Sequence, residues 1–294
     1  MRNQFFDNEN LKNEQVVKNS NEEHNKSMKF LDLIKNNDEI GIQTALLENN
    51  KGVELECKCT SRTLCLMDAT GSMSNLLDNT KKTVSLVFKR AKEVLKEEGA
   101  NPDCFELQIG FYRNYGSGPT KLFEHSDWVK KPDVLQVFMD SNGVSGGQGN
   151  EAIEVGLWYA NKEYDSQKIT QIILIGDASP NSEDDVKKKR GTENKWANTE
   201  YKNPTFYKTE LAQLQSKGIK IYTFYVWKDD SLKKSFEEIA KDPKNCRFLD
   251  VNNAAKGSED LLDSLTKVIL NDVGGEKFEA KYDNKFKTIW VSYT

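Results

Sequence analysis

From Arg62 onward the chain alternates two kinds of segment, and the alternation narrows its folds to one class. "RTLCLMDAT", "FELQIGFYRNY", "KITQIILIGDAS" and "KIYTFYVW" are strand-length runs that stay largely apolar. A strand with one wet face alternates polar and apolar residues, whereas a strand covered on both faces does not. Between these runs lie "SNLLDNTKKTVSLVFKRAKEVLKEEG", "PDVLQVFMDS", "NEAIEVGLWYANKEY", "PTFYKTELAQLQSKG", "LKKSFEEIAKD" and "SEDLLDSLTKVILNDV". Their apolar residues recur every three or four positions, which predicts amphipathic helices, with Gly218 closing one of them. The shorter "TKLFEHSDW" and "NCRFLDVN" read as further strands. Doubly covered strands that alternate with helices predict an α/β fold: a doubly wound, mostly parallel sheet with helices on both faces and right-handed crossovers. The tail "KFEAKYDNKFKTIWVSYT" alternates with a period of two, so residues 273–294 are expected to add an antiparallel edge strand or hairpin.

The regular pattern spans 62–272. Before it, residues 1–27 are rich in Asn, Glu and Lys without periodicity and are expected to be a flexible segment. Residues 28–61 read as a short helical lead-in packed on the main domain. No apolar run approaches the length of a membrane helix, and the N-terminus lacks the apolar stretch of a secretory signal. With 42 basic against 46 acidic residues, the net charge of −4 argues against general binding to a phosphate backbone. The five cysteines are odd in number and two lie in apolar runs, which predicts reduced thiols and a cytoplasmic setting. "CKC" at 57–59 is one residue short of a common zinc hook, and both histidines are distant in sequence.

Chemistry concentrates in "LCLMDATGSMS", where an apolar strand stops at Asp68 and is followed by Thr70, Ser72 and Ser74. In open parallel sheets ligands bind beyond the carboxyl ends of the strands, where strand order reverses. A second apolar strand, "QIILIGDASPN", ends the same way on Asp177, and the glycine loop "SGGQGNEA" can reach the same rim. Carboxylates, hydroxyls and an amide oxygen form an all-oxygen donor set, which suits a hard cation such as Mg²⁺. Capping of the following helix would also explain the hydroxyls, though not the second aspartate.

"DATGS" resembles the D-x-S/T-x-S signature of the von Willebrand factor type A (VWA) domain, and the similarity extends over roughly 62–272 in element order. "FYRNYGSG" resembles the "YRD" turn, "SGGQGNEAIEVGL" the "GGGDGPEAV" loop and "LIGDASPN" the "LIADAPPH" strand end of intracellular members, including those attached to alpha-type kinases; no kinase domain is recognised in this sequence. The resemblance implies a metal-ion-dependent adhesion site with Asp68, Thr70 and Ser72 in its first loop and Asp177 in its third. Gln148 stands where the family has threonine or aspartate, and its neutral amide ligates directly, through water or not at all. Asn114 replaces the aspartate of "YRD". The implied function is a metal-dependent protein-binding module, not an enzyme, holding Mg²⁺ (or Mn²⁺ or Ca²⁺) and capturing an Asp or Glu of a partner protein.

Ser74, Arg113, Asn114 and Glu151 are the expected partner contacts near the metal. Trp196 and Tyr201 are added from the long charged segment after Asp177, where large aromatics either meet a partner or pin the segment to its own domain. Rival readings are weaker. An aspartate-nucleophile phosphatase needs a second acid where Thr70 stands. The glycine runs lack the spacing of nucleotide-binding loops. A VWA-type scaffold with a degenerate metal site, argued from Gln148, is the alternative.

Overall fold

In the computed structural model, residues 61–147, 149–250 and 254–287 are described, together with 32, 35 and 36. The chain divides into two compact units, Met1–Glu56 and Cys57–Thr294. In the first, Asn36 N donates to Asp32 O at 3.0 Å; the expected flexible segment 1–27 and most of the helical lead-in lie outside the described residues.

The second unit is built on one sheet. Its strands are β1 (Ser61–Asp68), β2 (Phe105–Tyr112), β3 (Phe123–His125), β4 (Gln171–Gly176), β5 (Lys220–Tyr225) and β6 (Cys246–Phe248). The order across the sheet is β3-β2-β1-β4-β5-β6. All neighbours are parallel except β2 and β3, which run antiparallel with Tyr112 opposite Phe123. The helices of eight residues or more among the described residues are α1 (Ser74–Glu97), α2 (Asp133–Ser141), α3 (Ile153–Gln167), α4 (Glu183–Arg190), α5 (Tyr207–Ser216), α6 (Asp230–Ala240) and α7 (Ala254–Tyr282). This is the predicted α/β, doubly wound and mostly parallel architecture, with the antiparallel strand at the β3 edge.

Both faces of the sheet are dry, which is why its strands carry no polar alternation. Along β1, Cys65 and Met67 point into one core with Val84, Val87 and Phe88 of α1 and Leu262, Leu265 and Ile269 of α7. Leu64 and Leu66 point into the other, with Val155 and Leu157 of α3, Leu211 and Leu214 of α5, and Phe236 of α6. β4 divides likewise, Ile173 and Ile175 to one side and Ile172 and Leu174 to the other. Helix α5 ends as its glycine predicts, with Gly218 at φ 72°.

The C-terminal expectation is corrected. Residues 273–282 continue α7, which breaks at Gly275 (φ 66°), and a π-helical turn follows over Asp283–Lys287; residues 288–294 lie outside the described set. The alternating tail has a second period: Phe278, Tyr282 and Phe286 are four residues apart and pack on the core around α1. Arg90 of α1 fixes this face, donating to Tyr282 Oη at 2.9 Å, Glu259 Oε1 at 2.7 Å and Asp263 Oδ1 at 3.1 Å. A helix that wins these contacts outcompetes an edge strand with only one neighbour.

Candidate metal centre

Sequential strands spread to one side from β1 (β2, β3) and to the other from β4 (β5, β6), so strand order reverses between β1 and β4. Met67 pairs with Ile175, which places Asp68 beside Gly176 and makes Asp177 the first residue beyond β4. The two acids therefore end adjacent strands at the crevice where ligands bind in such sheets. Gly176 permits this closeness: a Cβ there would lie 2.4 Å from Tyr112 Oη and 3.6 Å from Asp68 Cβ.

Asp68 is fully buried. Its Oδ1 accepts from Thr70 N at 2.7 Å, whereas Oδ2 has no hydrogen-bond partner. Burial first, then the negative charges of Glu151 and Asp177, pushes its carboxyl well above the usual range. A buried carboxylate oxygen without a donor costs on the order of 1–3 kcal/mol, more when charged. Thr70 Oγ1 lies 3.3 Å from Ser72 Oγ. Thr70 is buried and Ser72 exposed, so the pair leads from the interior to the surface. Capping does not account for these hydroxyls. Neither Thr70, at the start of the 3-10 turn Gly71–Met73, nor Met73, before α1, makes a side-chain cap.

The glycine loop closes the crevice. Ser145 N donates to Ala69 O at 2.9 Å, and Gly71 N to Gly146 O at 3.2 Å. Gly147 (φ 102°) lies so near Thr70 that a Cβ would come within 2.8 Å of Thr70 Cβ and 3.3 Å of Glu151 Oε1. No other residue fits that position without displacement. Glu151 is buried and bridges to the loop after β4, its N donating to Ser179 O at 3.0 Å while its O accepts from Asn181 N at 3.1 Å. The resulting cleft, of about 360 Å³, is lined by Gly71, Ser72, Gly147, Glu151, Asp177 and Ala178. Gln148 lies outside the described residues.

The structure thus brings together Asp68, Thr70, Ser72, Glu151 and Asp177. Among the described residues no three His, Cys, Asp or Glu side chains gather to ligate a metal by themselves; the donors are mixed carboxylate and hydroxyl. That set, which includes the orphaned Asp68 Oδ2, fits a hard divalent cation.

Ser74 is exposed at the first turn of α1. The other expected contacts are buried. Arg113 is 1% exposed and acts as a strut, its guanidinium donating to Glu124 Oε2 (2.7 Å), Gly143 O (2.8 Å) and Lys121 O (3.0 Å). Asn114 is buried and ties loops together, its Nδ2 donating to Asn150 O at 2.6 Å and its Oδ1 accepting from Tyr115 N at 2.9 Å. Glu151 faces the cleft but is too buried to meet a partner. Trp196 is 0% exposed, its Nε1 donates to Arg190 O at 2.8 Å, and its ring meets Tyr115 edge to face at 5.6 Å. Tyr201 is buried against Trp158. The aromatics pin their segment to its own domain.

The rim aromatic is another tryptophan. Trp227, just past β5, is 48% exposed and donates from Nε1 to Asp177 Oδ2 at 3.1 Å. Its signal was available in "YVWKDD": it follows an apolar strand at the same carboxyl rim as Asp68 and Asp177.

No family model matches the chain, and no curated protein matches it. Among solved structures it is similar to the pilus adhesin SpaC of Lactobacillus rhamnosus GG (open conformation), at 12% identity and a TM-score of 0.48 over 71% of this chain. That match covers 30% of the adhesin, so the chain spans about a third of its length. It is also similar to the vWF domain of the type V pili tip protein Mfa5 of Porphyromonas gingivalis (12% identity, TM-score 0.46, 71% of this chain and 96% of that one). A third similarity is to proximal thread matrix protein 1 of the mussel byssus with a zinc-occupied MIDAS motif (16% identity, TM-score 0.44, 72% of this chain and 46% of that one).

Proposed function

We propose that this chain is a VWA-type protein-binding module whose site at the β1–β4 crevice takes a divalent cation and, through it, an acidic side chain of a partner protein. One observation carries the reading. Asp68 Oδ2 is buried without a hydrogen-bond partner, and the negative charges of Glu151 and Asp177 act on it, so burial and repulsion both penalise its ionised form. A bound cation would reverse that penalty.

Asp68, Thr70, Ser72 and Asp177 are the residues that would hold the ion, with Gln148 the remaining candidate from the glycine loop. Mg²⁺ is the preferred ion, with Mn²⁺ and Ca²⁺ as alternatives. When bound, the ion supplies an electrophilic position for an incoming carboxylate. The chain's own residues do the rest. Thr70 N orients Asp68 by holding Oδ1, which would leave Oδ2 available as a ligand. Thr70 and Ser72 offer neutral oxygens, which ligate without cancelling the ion's remaining charge. Gly146 and Gly147 keep side chains out of the approach. Trp227 offers exposed apolar surface beside Asp177, the kind of aromatic anchor on which interfaces concentrate binding energy.

Calorimetric titration of Mg²⁺ and Mn²⁺ into EDTA-stripped protein tests the proposal, with Asp68→Ala and Asp177→Ala in parallel. Saturable one-to-one binding abolished by both substitutions is the expected result. Absence of binding to the wild type at millimolar metal would overturn it in favour of a scaffold with a degenerate site.

A further inference from the structure

A second cleft adjoins the metal cleft and carries the opposite charge. It has a volume of about 500 Å³, and its lining includes Asn114, Gly146, Gly147, Asp185, Lys188 and Lys189. Gly146 and Gly147 line both clefts, so the two are separated by a ridge of bare backbone. The ridge must remain bare: both glycines have positive φ (71° and 102°), and a Cβ on Gly146 would lie 2.6 Å from Ser117 Oγ. An extended peptide can cross Gly146 and Gly147 without meeting a side chain of either residue.

The charged groups of this second cleft are not equivalent. Lys189 spends its ammonium on the framework, donating to Asn150 O at 2.6 Å and Asn181 Oδ1 at 2.8 Å. Asp185 is consumed in the capping box of α4 (Ser182 N at 3.1 Å, Ser182 Oγ at 2.8 Å) and by Asn150 Nδ2 at 3.2 Å. Lys187 lies within 3.8 Å of Asp184. Lys188, exposed between them, makes no ion pair among the described residues. A negative well that takes a cation therefore lies one glycine ridge away from an uncommitted ammonium.

We infer that the partner segment presents two acidic side chains a few residues apart, one for the metal cleft and the second for Lys188 across the Gly146–Gly147 ridge. The inference rests on the metal-dependent reading above and extends it to the partner's chemistry. A lone carboxylate satisfies one cleft. Two on a short linker satisfy both, the second at the high effective concentration that tethering gives. The two clefts share a wall, so the acids are expected to be separated by roughly one to three residues at ~3.3 Å each.

The test uses the full chain and dye-labelled, end-blocked glycine peptides bearing either one aspartate or a spaced pair, followed by fluorescence anisotropy in Mg²⁺ and in EDTA. In Mg²⁺ the two-acid peptide is expected to bind about fivefold more tightly than the one-acid peptide, the worth of one partly exposed ion pair. Lys188→Glu should erase that preference. Lys187→Glu, on the same helix but not lining the cleft, should retain it, and both variants should take up Mg²⁺ with the wild-type calorimetric titre. Equal binding of the two peptides, or a preference that survives Lys188→Glu, overturns the inference while Mg²⁺ heat leaves the metal reading intact. Loss of Mg²⁺ heat in the wild type removes both.

Discussion

At the scale of single residues, burial separates side chains that look alike in sequence. Trp196 and Trp227 both lie in segments that leave a strand at the carboxyl rim, yet one is sealed under Arg190 and the other half exposed against Asp177. No local pattern distinguishes them, because the covering groups come from distant segments. Trp227 consequently makes a direct reporter. If Asp177 turns its carboxylate to a cation, the Nε1 bond is perturbed, so Mg²⁺ titration is expected to change the intrinsic fluorescence and Trp227→Phe to remove that change. A signal unaffected by Trp227→Phe would assign it to another tryptophan. Glu154 yields a second prediction. Fully buried in α3, it accepts from Asn181 Nδ2 at 3.0 Å, with Lys189 and Tyr115 facing it, and burial pushes its carboxyl up from 4.5 to about 7. Between those values the folded chain keeps a proton that the unfolded chain has released. Stability therefore falls as pH rises through that window and levels off above it. Glu154→Gln keeps an acceptor for Asn181 and removes the titration. Denaturant midpoints should show the variant more stable by on the order of 3 kcal/mol near about pH 8 and level with wild type near about pH 4. Equal midpoints at both would contradict the buried-acid account.

At the scale of elements, the strands and most helices are legible because each has one period and one environment. β1 and β4 are covered on both faces, so their apolar runs have one reading, and α1 repeats its buried Val84, Val87, Phe88, Ala91 and Val94 at helical spacing. The C-terminal element carries two periods at once, and the deciding contacts, Arg90 with Tyr282 and Glu259, lie 192 and 169 residues apart in sequence. The segment between α4 and α5 shows the same dependence on distance. Its aromatics serve as internal anchors, with the Arg190 guanidinium 5.0 Å above the Trp196 ring and donating to Tyr201 O at 2.8 Å. Trp196→Ala is therefore expected to cost about 3–5 kcal/mol of global stability and to expose 191–206 to proteolysis, whereas Trp227→Ala stays within about 1 kcal/mol of wild type. Urea denaturation of the two variants checks this. A Trp196→Ala protein of wild-type stability would restore that tryptophan to the list of surface contacts.

At the scale of the whole molecule, the site belongs to the topology more than to any one segment. Its floor comes from β1 and β4, its wall from the glycine loop before α3 and its rim from the turn after β5. Asp68 and Asp177 were legible because strand ends in a parallel sheet converge by rule; Glu151 and Trp227 enter only through the register of loops that no rule fixes. A cation held across these segments is linked to the folding of the unit they share. The melting temperature is accordingly expected to rise with the logarithm of Mg²⁺ concentration, by about 2.7 kcal/mol at a hundredfold excess over Kd, or roughly 5–10 °C. Asp68→Asn makes the linkage decisive. It replaces a buried carboxylate whose Oδ2 lacks a partner, so in EDTA the variant should melt at or above the wild-type temperature, while at saturating Mg²⁺ the order reverses. A structural acid would show the variant less stable under both conditions by a constant margin. The crossing of the two melting curves, read by calorimetry, is what separates an aspartate retained for a ligand from one retained for the fold.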